Sequence, residues 1–535
     1  MTYRSPEQAA YAKLIQGATR PGPPLLAGAA AGLGKTHGYT IPLVKSGLRV
    51  AVAMSTRQLI TQYLESDAVR TAQAIRPFSI IALQARREFK TDKAYREHKA
   101  QAIAAEVLVV THAAACIDSY APSYAHLRER DVVLFDEADL LADAADLRST
   151  CSISADDLVA LHAERLPHLE AAQRAVSTSD DQELKGVAKA ILGALERPAW
   201  YKEVGKEEDG TLTLKHRLPG RMLKALIDEC PRCIFTSGTL QVSGRFDHFV
   251  QALGLSAIAP ESRHIDPKHH GRLHVEVASD ELTPQAVVER IVAAQRPVLV
   301  LTTSHALSQQ LSQLCPEAAC RAPDEPLSSA VGRCPDEGIL IAAGAWSGLD
   351  EPRLRWKTVV IPKTPYLRPT VLDGRHVTRY LDSEVVAIRR TNQGLHRGLR
   401  TPDAECTLLL LDPRSSRDAL RTAIPSRFHV EWEAFEEGSL VVRSHVQAER
   451  HRDASLRNFA IRKLGQKCSA PGCTETAMHR LDVHHLKPIA EGQRITTLSD
   501  VVVLCKNHHA DAHHQMRMAA ISEMDALESC GSTAT

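Results

Sequence analysis

The chain has no long hydrophobic run, almost no net charge, no low-complexity tract and no internal repeat. Its longest apolar stretches, such as Pro297 to Thr302 and Cys406 to Leu411, fall far below the roughly 20 residues that cross a bilayer, which excludes a helical membrane span. The opening MTYRSPEQ lacks the charged-then-apolar layout of a secretory signal, so a cytoplasmic location is expected. Most of the 12 cysteines should stay reduced there, and closely spaced ones point to metal rather than to disulfides. A formal net charge of +1 gives no overall attraction to nucleic acid, so any such binding must come from local basic grooves. What is present is material for several cores: 535 residues, 44% hydrophobic and 24% charged, enough for three or four folded domains.

Short apolar segments alternate with polar loops and helical stretches from the start. Pro24 to Ala27, Leu48 to Met54, Leu108 to Thr111 and Asp131 to Phe135 read as strands, the last with acids at its end. That alternation predicts an α/β fold with a mostly parallel sheet. From about Leu141 to Ala225 the pattern turns helical and charged, as in DDLVALHAERL and QELKGVAKAILGALE, and predicts an inserted helical subdomain. The strand CIFTSG at Cys233 to Gly238 returns to the first sheet, and PVLVLTTS, GILIAAGAW, KTVVIPK and CTLLLLD predict a second sheet of the same kind. The expected divisions are a first domain over 1–280 with the insertion at about 141–225, a second over 281–440, a basic linker or helical arm over 441–467, a small module over 468–520 and a flexible tail over 521–535.

Two acidic and glycine-rich motifs carry the first chemistry. AAAGLGKT at Ala29 to Thr36 predicts a turn between strand and helix whose backbone N–H groups close around the β- and γ-phosphates of ATP. Gly32 and Gly34 supply the turn, Lys35 neutralises phosphate charge and the Thr36 hydroxyl holds Mg2+. Ala29 stands where the general GxxxxGKT pattern begins with glycine. Asp136-Glu137-Ala138-Asp139 closes an apolar strand, which predicts Asp136 as a second Mg2+ holder and Glu137 as the residue that orients or polarises the attacking water.

These motifs, in this order, make the chain resemble superfamily 2 helicases, and more narrowly their DinG and XPD branch, over roughly residues 1–415. The likeness runs through SPEQAAYAKLI, AAAGLGKT, STRQLITQYL, ALQARREF, VVTHAAA, LFDEADLLADA, FTSGTL and FDHFVQALGL. GAWSGLDEP at Gly344 to Pro352 is similar to the branch's FWEGID motif, and Gln393, Arg397 and Arg400 match its QxxGRxxR. The resemblance implies two RecA-like parallel-sheet domains, an adenine contact for Gln8 and nucleotide-side positions for Asp350 and Gln393. It also implies that Arg397 and Arg400 reach across the cleft to the γ-phosphate, so that hydrolysis requires the domains to close. The chain departs from the pattern at His396, which replaces a glycine, and in ending the acidic strand with DEAD rather than DEAH. Between Leu83 and Asp131 only Cys116 is available where the branch sets four thiolates, so no iron-sulfur cluster is expected.

The C-terminal module carries metal-ligand spacing. Cys468 and Cys473 form one knuckle and Cys505 with His508 a second, the soft-plus-imidazole set of a closed structural Zn2+ site. Between and beyond them lie Asp482-Val483-His484-His485 and His509-Ala510-Asp511-Ala512-His513, the last pair of histidines one helical turn apart. The arrangement resembles the HNH, or ββα-metal, nucleases. That resemblance implies a divalent metal, Mg2+, Mn2+ or Zn2+, on His484, His509 and His513, with His485 activating the attacking water. Asp500 stands where the family's middle asparagine is expected.

Together these features predict an ATP-dependent 5′ to 3′ helicase acting on single-stranded and duplex DNA, fused to an HNH endonuclease. The combination resembles the CRISPR-associated DinG proteins of type IV systems, which implies an RNA-guided effector complex as partner. Two other readings use the same residues: a non-cleaving translocase or R-loop remodeller whose zinc module holds DNA, and a standalone repair or restriction helicase-nuclease.

Overall fold

Two parallel seven-stranded sheets make up most of the chain in the computed structural model. Described are residues 3–432 and 440–511, leaving out chiefly 161–167, most of 179–202, 378–382, 400–403, 425–429, 443–460, 486–493 and 497–500, and single or paired positions such as 31, 347–348 and 350–352. Contacts divide the chain into two units, Met1–Trp432 and Glu433–Thr535.

The first sheet begins with β1 (Leu25–Ala29), β2 (Val50–Met54), β3 (Ile80–Ala82), β4 (Val107–Thr111) and β5 (Val132–Asp136). An insertion holding β6 (Cys151–Ile153), β7 (Glu203–Lys206) and β8 (Leu212–Lys215) follows, and then β9 (Cys233–Ser237) and β10 (Glu261–Ile265) complete the sheet. The order is β10-β1-β9-β5-β2-β4-β3, with every neighbouring pair parallel. Strands covered on both faces must be apolar at every position, which is why these segments read as continuous hydrophobic runs. Leu26, Ala53, Leu108, Val110, Val133, Phe135 and Phe235 pack on one face. Ala27, Val52, Val109, Leu134 and Ile234, their alternating neighbours, pack on the other. Phe135 and Phe235 stack with centroids 5.0 Å apart and an interplanar angle of 9°, fixing β5 against β9.

Because β1, β9 and β5 are adjacent, their carboxyl ends bring the glycine turn after Ala29, the Ser237 segment and Asp136 to one edge of the sheet. Ligands of parallel α/β sheets sit at that edge.

The sequence pattern predicts a helical insertion over about 141–225, but these residues also form strands. Helices Leu141–Ser149, Ala155–Ala160 and His168–Thr178 are accompanied by an antiparallel sheet of order β6-β8-β7. Leu212 and Leu214 alternate with the polar Thr213 and Lys215, a period-2 sequence signal only four residues long that the charged helical runs around it conceal.

The second sheet comprises β11 (Arg272–Val277), β12 (Val298–Thr302), β13 (Ala319–Cys320), β14 (Ile339–Ala343) and β15 (Thr358–Ile361). A hairpin of β16 (Thr370–Leu372) and β17 (Arg375–Val377) and a 16-residue helix, Ser383–Gly398, precede β18 (Glu405–Leu410) and β19 (Val430–Trp432). The order is β13-β14-β12-β15-β18-β11-β19. In the C-terminal unit β20 (Leu440–Val442) pairs with β22 (Arg494–Thr496), and β21 (Leu481–His485) with β23 (Val501–Cys505), both antiparallel. The second sheet's last described strand is β19, and Leu440–Val442 pairs within the C-terminal unit. Most of the basic arm and the tail after residue 511 lie outside the described residues. Among the described residues no helix is long and apolar enough to cross a membrane.

Arg130 is fully buried and donates to the carbonyls of Ala105 and Ile103, both at 2.6 Å, closing the C-terminus of helix Asp92–Ala104. Burial pushes its guanidinium down to about 10. Arg130→Met orphans these carbonyls and should destabilise unit one by about 2–4 kcal/mol, read as a lower denaturation midpoint with an unchanged m-value.

Candidate nucleotide site and metal cluster

The turn after β1 has the backbone that phosphate binding requires. Gly32 and Gly34 adopt φ of 80° and 83°, the left-handed region open to glycine. Gly34 caps helix Lys35–Lys45 without a side-chain hydrogen bond, which leaves the first N–H groups of that helix facing outward for an anion. A Cβ on Gly34 would lie 2.3 Å from Gln8 Nε2, so close packing adds to the conformational demand. Gln8 Nε2 donates to the Gly34 carbonyl at 3.0 Å, and its Oε1 accepts from the Arg4 N–H at 2.8 Å. The structure thus engages Gln8, expected at the adenine, in holding the turn from the side. Arg4 Nε donates to the Leu33 carbonyl at 3.3 Å and Lys35 Nζ to the Ala29 carbonyl at 3.4 Å, while Thr36 follows in the first helical turn.

Asp136 ends β5 opposite this turn. Tyr39, from the helix that the turn opens, donates its hydroxyl to Asp136 Oδ2 at 3.0 Å. Burial, followed by the charge of Glu137, raises Asp136 to about 6 against the opposing pull of Lys35. Glu137 has φ of 49°, uncommon for a residue with a side chain, where the chain turns from β5 into the short Ala138–Leu140 helix. Its N–H donates to Asp136 Oδ1 at 3.0 Å. Behind them His112 Nε2 lies 2.9 Å from the Asp136 carbonyl, and burial lowers this imidazole to about 4, so it is neutral at physiological pH.

The two sheets meet over Asp139. This buried carboxylate lies 2.6 Å from Ser237 Oγ, 2.8 Å from Thr239 Oγ1 and 2.7 Å from Gln393 Nε2, the last reaching from the second sheet's helix. Ser237 Oγ is also 3.1 Å from Glu137. Gln393 therefore joins the acidic motif to the Ser237–Thr239 segment, away from the glycine turn. Arg397 Nη1 donates to the Leu349 carbonyl at 2.8 Å and its Nη2 to the Trp346 carbonyl, so it braces the loop after β14. Trp346 is buried in the second core. His396 Nδ1 lies 2.7 Å from the Asn392 carbonyl within its own helix, which continues through the position where a glycine was expected. Asp350 and Arg400 lie outside the described residues. The seam residues Asp139, Ser237, Thr239 and Arg389 and the buried His112 carried no assigned role in the sequence; all but Arg389 lie inside motif segments, which could have pointed to them.

In the C-terminal unit, Cys468, Cys473, Cys505 and His508 bring their ligand atoms within 4.8 Å of one another. Cys505 Sγ is 3.1 Å and Cys468 Sγ 3.5 Å from His508 Nδ1, and the Cys505 N–H donates to Cys468 Sγ at 3.2 Å. Three thiols and an imidazole in such a group could hold a metal ion, and soft donors of this kind suit zinc. His484 and His485 stand on β21 opposite Val502 and Val501, with side chains outside the described set. His509 follows His508 directly, and His513 lies outside the described residues, so the second metal site is not assembled from them. Cys116, Cys230 and Cys233 are buried in the first sheet's core, and burial pushes the Cys116 thiol up to about 12.

Residues 5–163 match the family model of the DEAD/DEAH box helicase. No curated protein matches the sequence. Among solved structures, "XPD_Helicase" superposes with a TM-score of 0.60 at 14% identity, over 81% of this chain and 100% of that one. "XPD_APO" gives 0.57 at 16% identity, over 79% and 99%. Xpd4 of S. tokodaii gives 0.50 at 14%, over 80% and 99%. At such identities the likeness is one of fold, and the fold is the two-sheet architecture of these helicases.

Asp136 is less easily ionised in the folded chain than in the unfolded one, so its contribution to stability is present below about pH 4 and lost as pH rises through about 6. Asp136→Asn should raise the melting temperature at pH 8 by roughly 2 °C or more, with the gain vanishing below about pH 4. A gain of equal size at both pH values would contradict that assignment.

Proposed function

We propose that the chain is an ATP-driven DNA helicase of the XPD-like kind, moving 5′ to 3′, joined to an HNH-type nuclease and acting with an RNA-guided type IV CRISPR effector complex. The observation that supports this most is the buried Asp139 junction, where the acidic motif beside the nucleotide turn, the Ser237–Thr239 segment and Gln393 of the second sheet share one carboxylate. A change at the phosphate edge of one sheet is thereby felt by the other. The open N–H groups after Gly34 and Lys35 bind the phosphates of ATP, and Glu137 holds the attacking water in line. Thr36 and Asp136 fit a magnesium ion, which supplies charge neutralisation at the phosphates. Arg397 and Arg400 complete the site from the second sheet when the cleft closes, with Asp350 beside them.

In the C-terminal unit the Cys468, Cys473, Cys505 and His508 set is the zinc staple, and small modules of this size rely on such a staple to fold. His484, His509 and His513 are assigned to the divalent metal and His485 to proton removal from the attacking water. A second reading has its own support: the four-residue cluster is by itself sufficient for a knuckle that grips DNA without cutting it. The motor then strips proteins or remodels R-loops.

Tailed, end-labelled duplexes with ATP and Mg2+ or Mn2+ separate these readings. Lys35→Ala should abolish unwinding, and His485→Ala should abolish cleavage while unwinding stays within about two-fold of the parent. Unwinding without cleavage by the parent protein, with the effector complex present, would favour the DNA-gripping reading. Elemental analysis should find about one zinc per chain, lost in Cys505→Ser together with the cooperative melting of the C-terminal unit.

A further inference from the structure

The stem of the insertion is held from both sides. Helix Leu141–Ser149 leaves the acidic turn and runs into β6. Asp146 on this helix accepts from Lys215 Nζ at 2.8 Å, with both side chains largely buried, which ties the stem to β8, the returning strand of the insertion. Asp143, one turn earlier, accepts from Arg389 Nη2 at 3.0 Å. Arg389 Nη1 donates to the Asp139 carbonyl at 2.6 Å. Arg389 is a residue of the Ser383–Gly398 helix, in the second sheet's half of the motor, and its side chain is 5% exposed. A guanidinium buried to this degree cannot leave the Asp139 carbonyl and the Asp143 carboxylate cheaply, because its own charge would stay desolvated.

The outer edge of the insertion is held by the same half. Strand β7 is an edge strand of the sheet β6-β8-β7. The Asp373 N–H, at the tip of the β16–β17 hairpin, donates to the Lys206 carbonyl at 2.8 Å. The Lys206 N–H returns a hydrogen bond to Asp373 Oδ1 at 3.0 Å. Asp373 and Gly374 have φ of 50° and 71°, the conformation of a two-residue hairpin turn. Gly205 permits the approach, since a Cβ there would lie 2.7 Å from Asp373 Oδ2 and 2.8 Å from Leu372 Cβ.

We propose that Arg389 is a positioning residue that fastens the insertion's stem to the second sheet, with Asp373 fastening its outer edge, so that the insertion travels with the second sheet when the cleft opens and closes. The insertion is covalently part of the first sheet, growing between β5 and β9, yet both of these fastenings come from the second. Inter-sheet motion is then carried outward to the β6-β8-β7 sheet. This rests on the ATP-driven reading only for the source of the motion; the fastening itself does not.

The test places dyes at the exposed positions Asp209 in the insertion, Gln313 on the second sheet's half and Lys13 on the first, in the full chain. A non-hydrolysable ATP analogue should change the Asp209–Lys13 distance and leave Asp209–Gln313 fixed. Arg389→Met with Asp373→Ala should broaden the Asp209–Gln313 distribution with or without nucleotide, and Arg389→Lys should restore it in part. Asp373→Ala alone should leave basal ATP hydrolysis within about two-fold and lower base pairs unwound per ATP by about five-fold or more, whereas Arg389→Met should lower kcat about ten-fold with KM for ATP little changed. Asp143→Asn, at a half-exposed site, checks the stem contact without burying an unpaired group and should reproduce part of the Arg389→Met broadening. An insertion that keeps its distance to Lys13 while Gln313 moves would overturn the proposal, as would a distribution unaltered in the double variant. Absence of nucleotide binding to the parent, followed with a fluorescent ATP analogue, would instead defeat the ATP-driven reading, and the nucleotide-free distributions would still decide the fastening.

Discussion

A buried carboxylate, Asp139, sets the terms for the rest of the two-sheet unit. Burial raises it to about 6 although Arg389, Ser237 and Thr239 all favour its ionised form. Such a group is tolerable only while its hydrogen bonds are made, and the donors come from separate places: Ser237 and Thr239 after β9, Gln393 from the second sheet's helix. Loss of any one donor leaves the carboxylate short of a partner in a medium that cannot supply water. In this arrangement the two sheets are thus joined by an electrostatic requirement as well as by apolar contact.

Strand order converts that requirement into a site. With β1 and β5 flanking β9, the glycine turn, Asp136 and the Ser237 segment emerge side by side. The ring stack of Phe135 on Phe235 fixes the spacing of β5 and β9 one residue below the carboxylates. Tyr39 then joins the helix Lys35–Lys45 to Asp136, and His112, held neutral by burial, supports the Asp136 carbonyl without adding charge. Phosphate edge, acidic edge and inter-sheet seam are three faces of one network.

Much of this was legible in the sequence because the physics is local. Strands buried on both faces must be apolar, so β1, β2, β4, β5 and β9 stood out as runs. A left-handed turn approached by Gln8 needs glycine, so Gly32 and Gly34 marked themselves. The cysteine and histidine spacing of 468, 473, 505 and 508 is dictated by ligand geometry and led directly to the cluster. The misses are non-local. Arg389 beside Arg390 reads as a solvated basic helix, and only the fold brings it to Asp139, some 250 residues away in sequence. Asp373-Gly374 turns a hairpin whose strands are three residues each, and the edge it meets, at Lys206, lies 167 residues earlier. The insertion's sheet was hidden because its strands are three or four residues long.

The cysteines divide along the same physical line. In the first unit, residues such as Cys116, Cys334 and Cys406 sit in cores of two large sheets and act as small apolar side chains whose thiols burial keeps protonated. Those cores are built from dozens of aliphatic residues and need no cross-link. The C-terminal unit has a buried apolar set of only a few residues among those described, Ile461, Leu481, Val503 and Leu504, together with Cys468 and Cys505 themselves. A core that small offsets little of the entropy of ordering its hairpin, and the thiols beside it form a group that could hold a metal ion. Metal chemistry is expected where the apolar core runs out, and that is where the one cluster among the described residues stands.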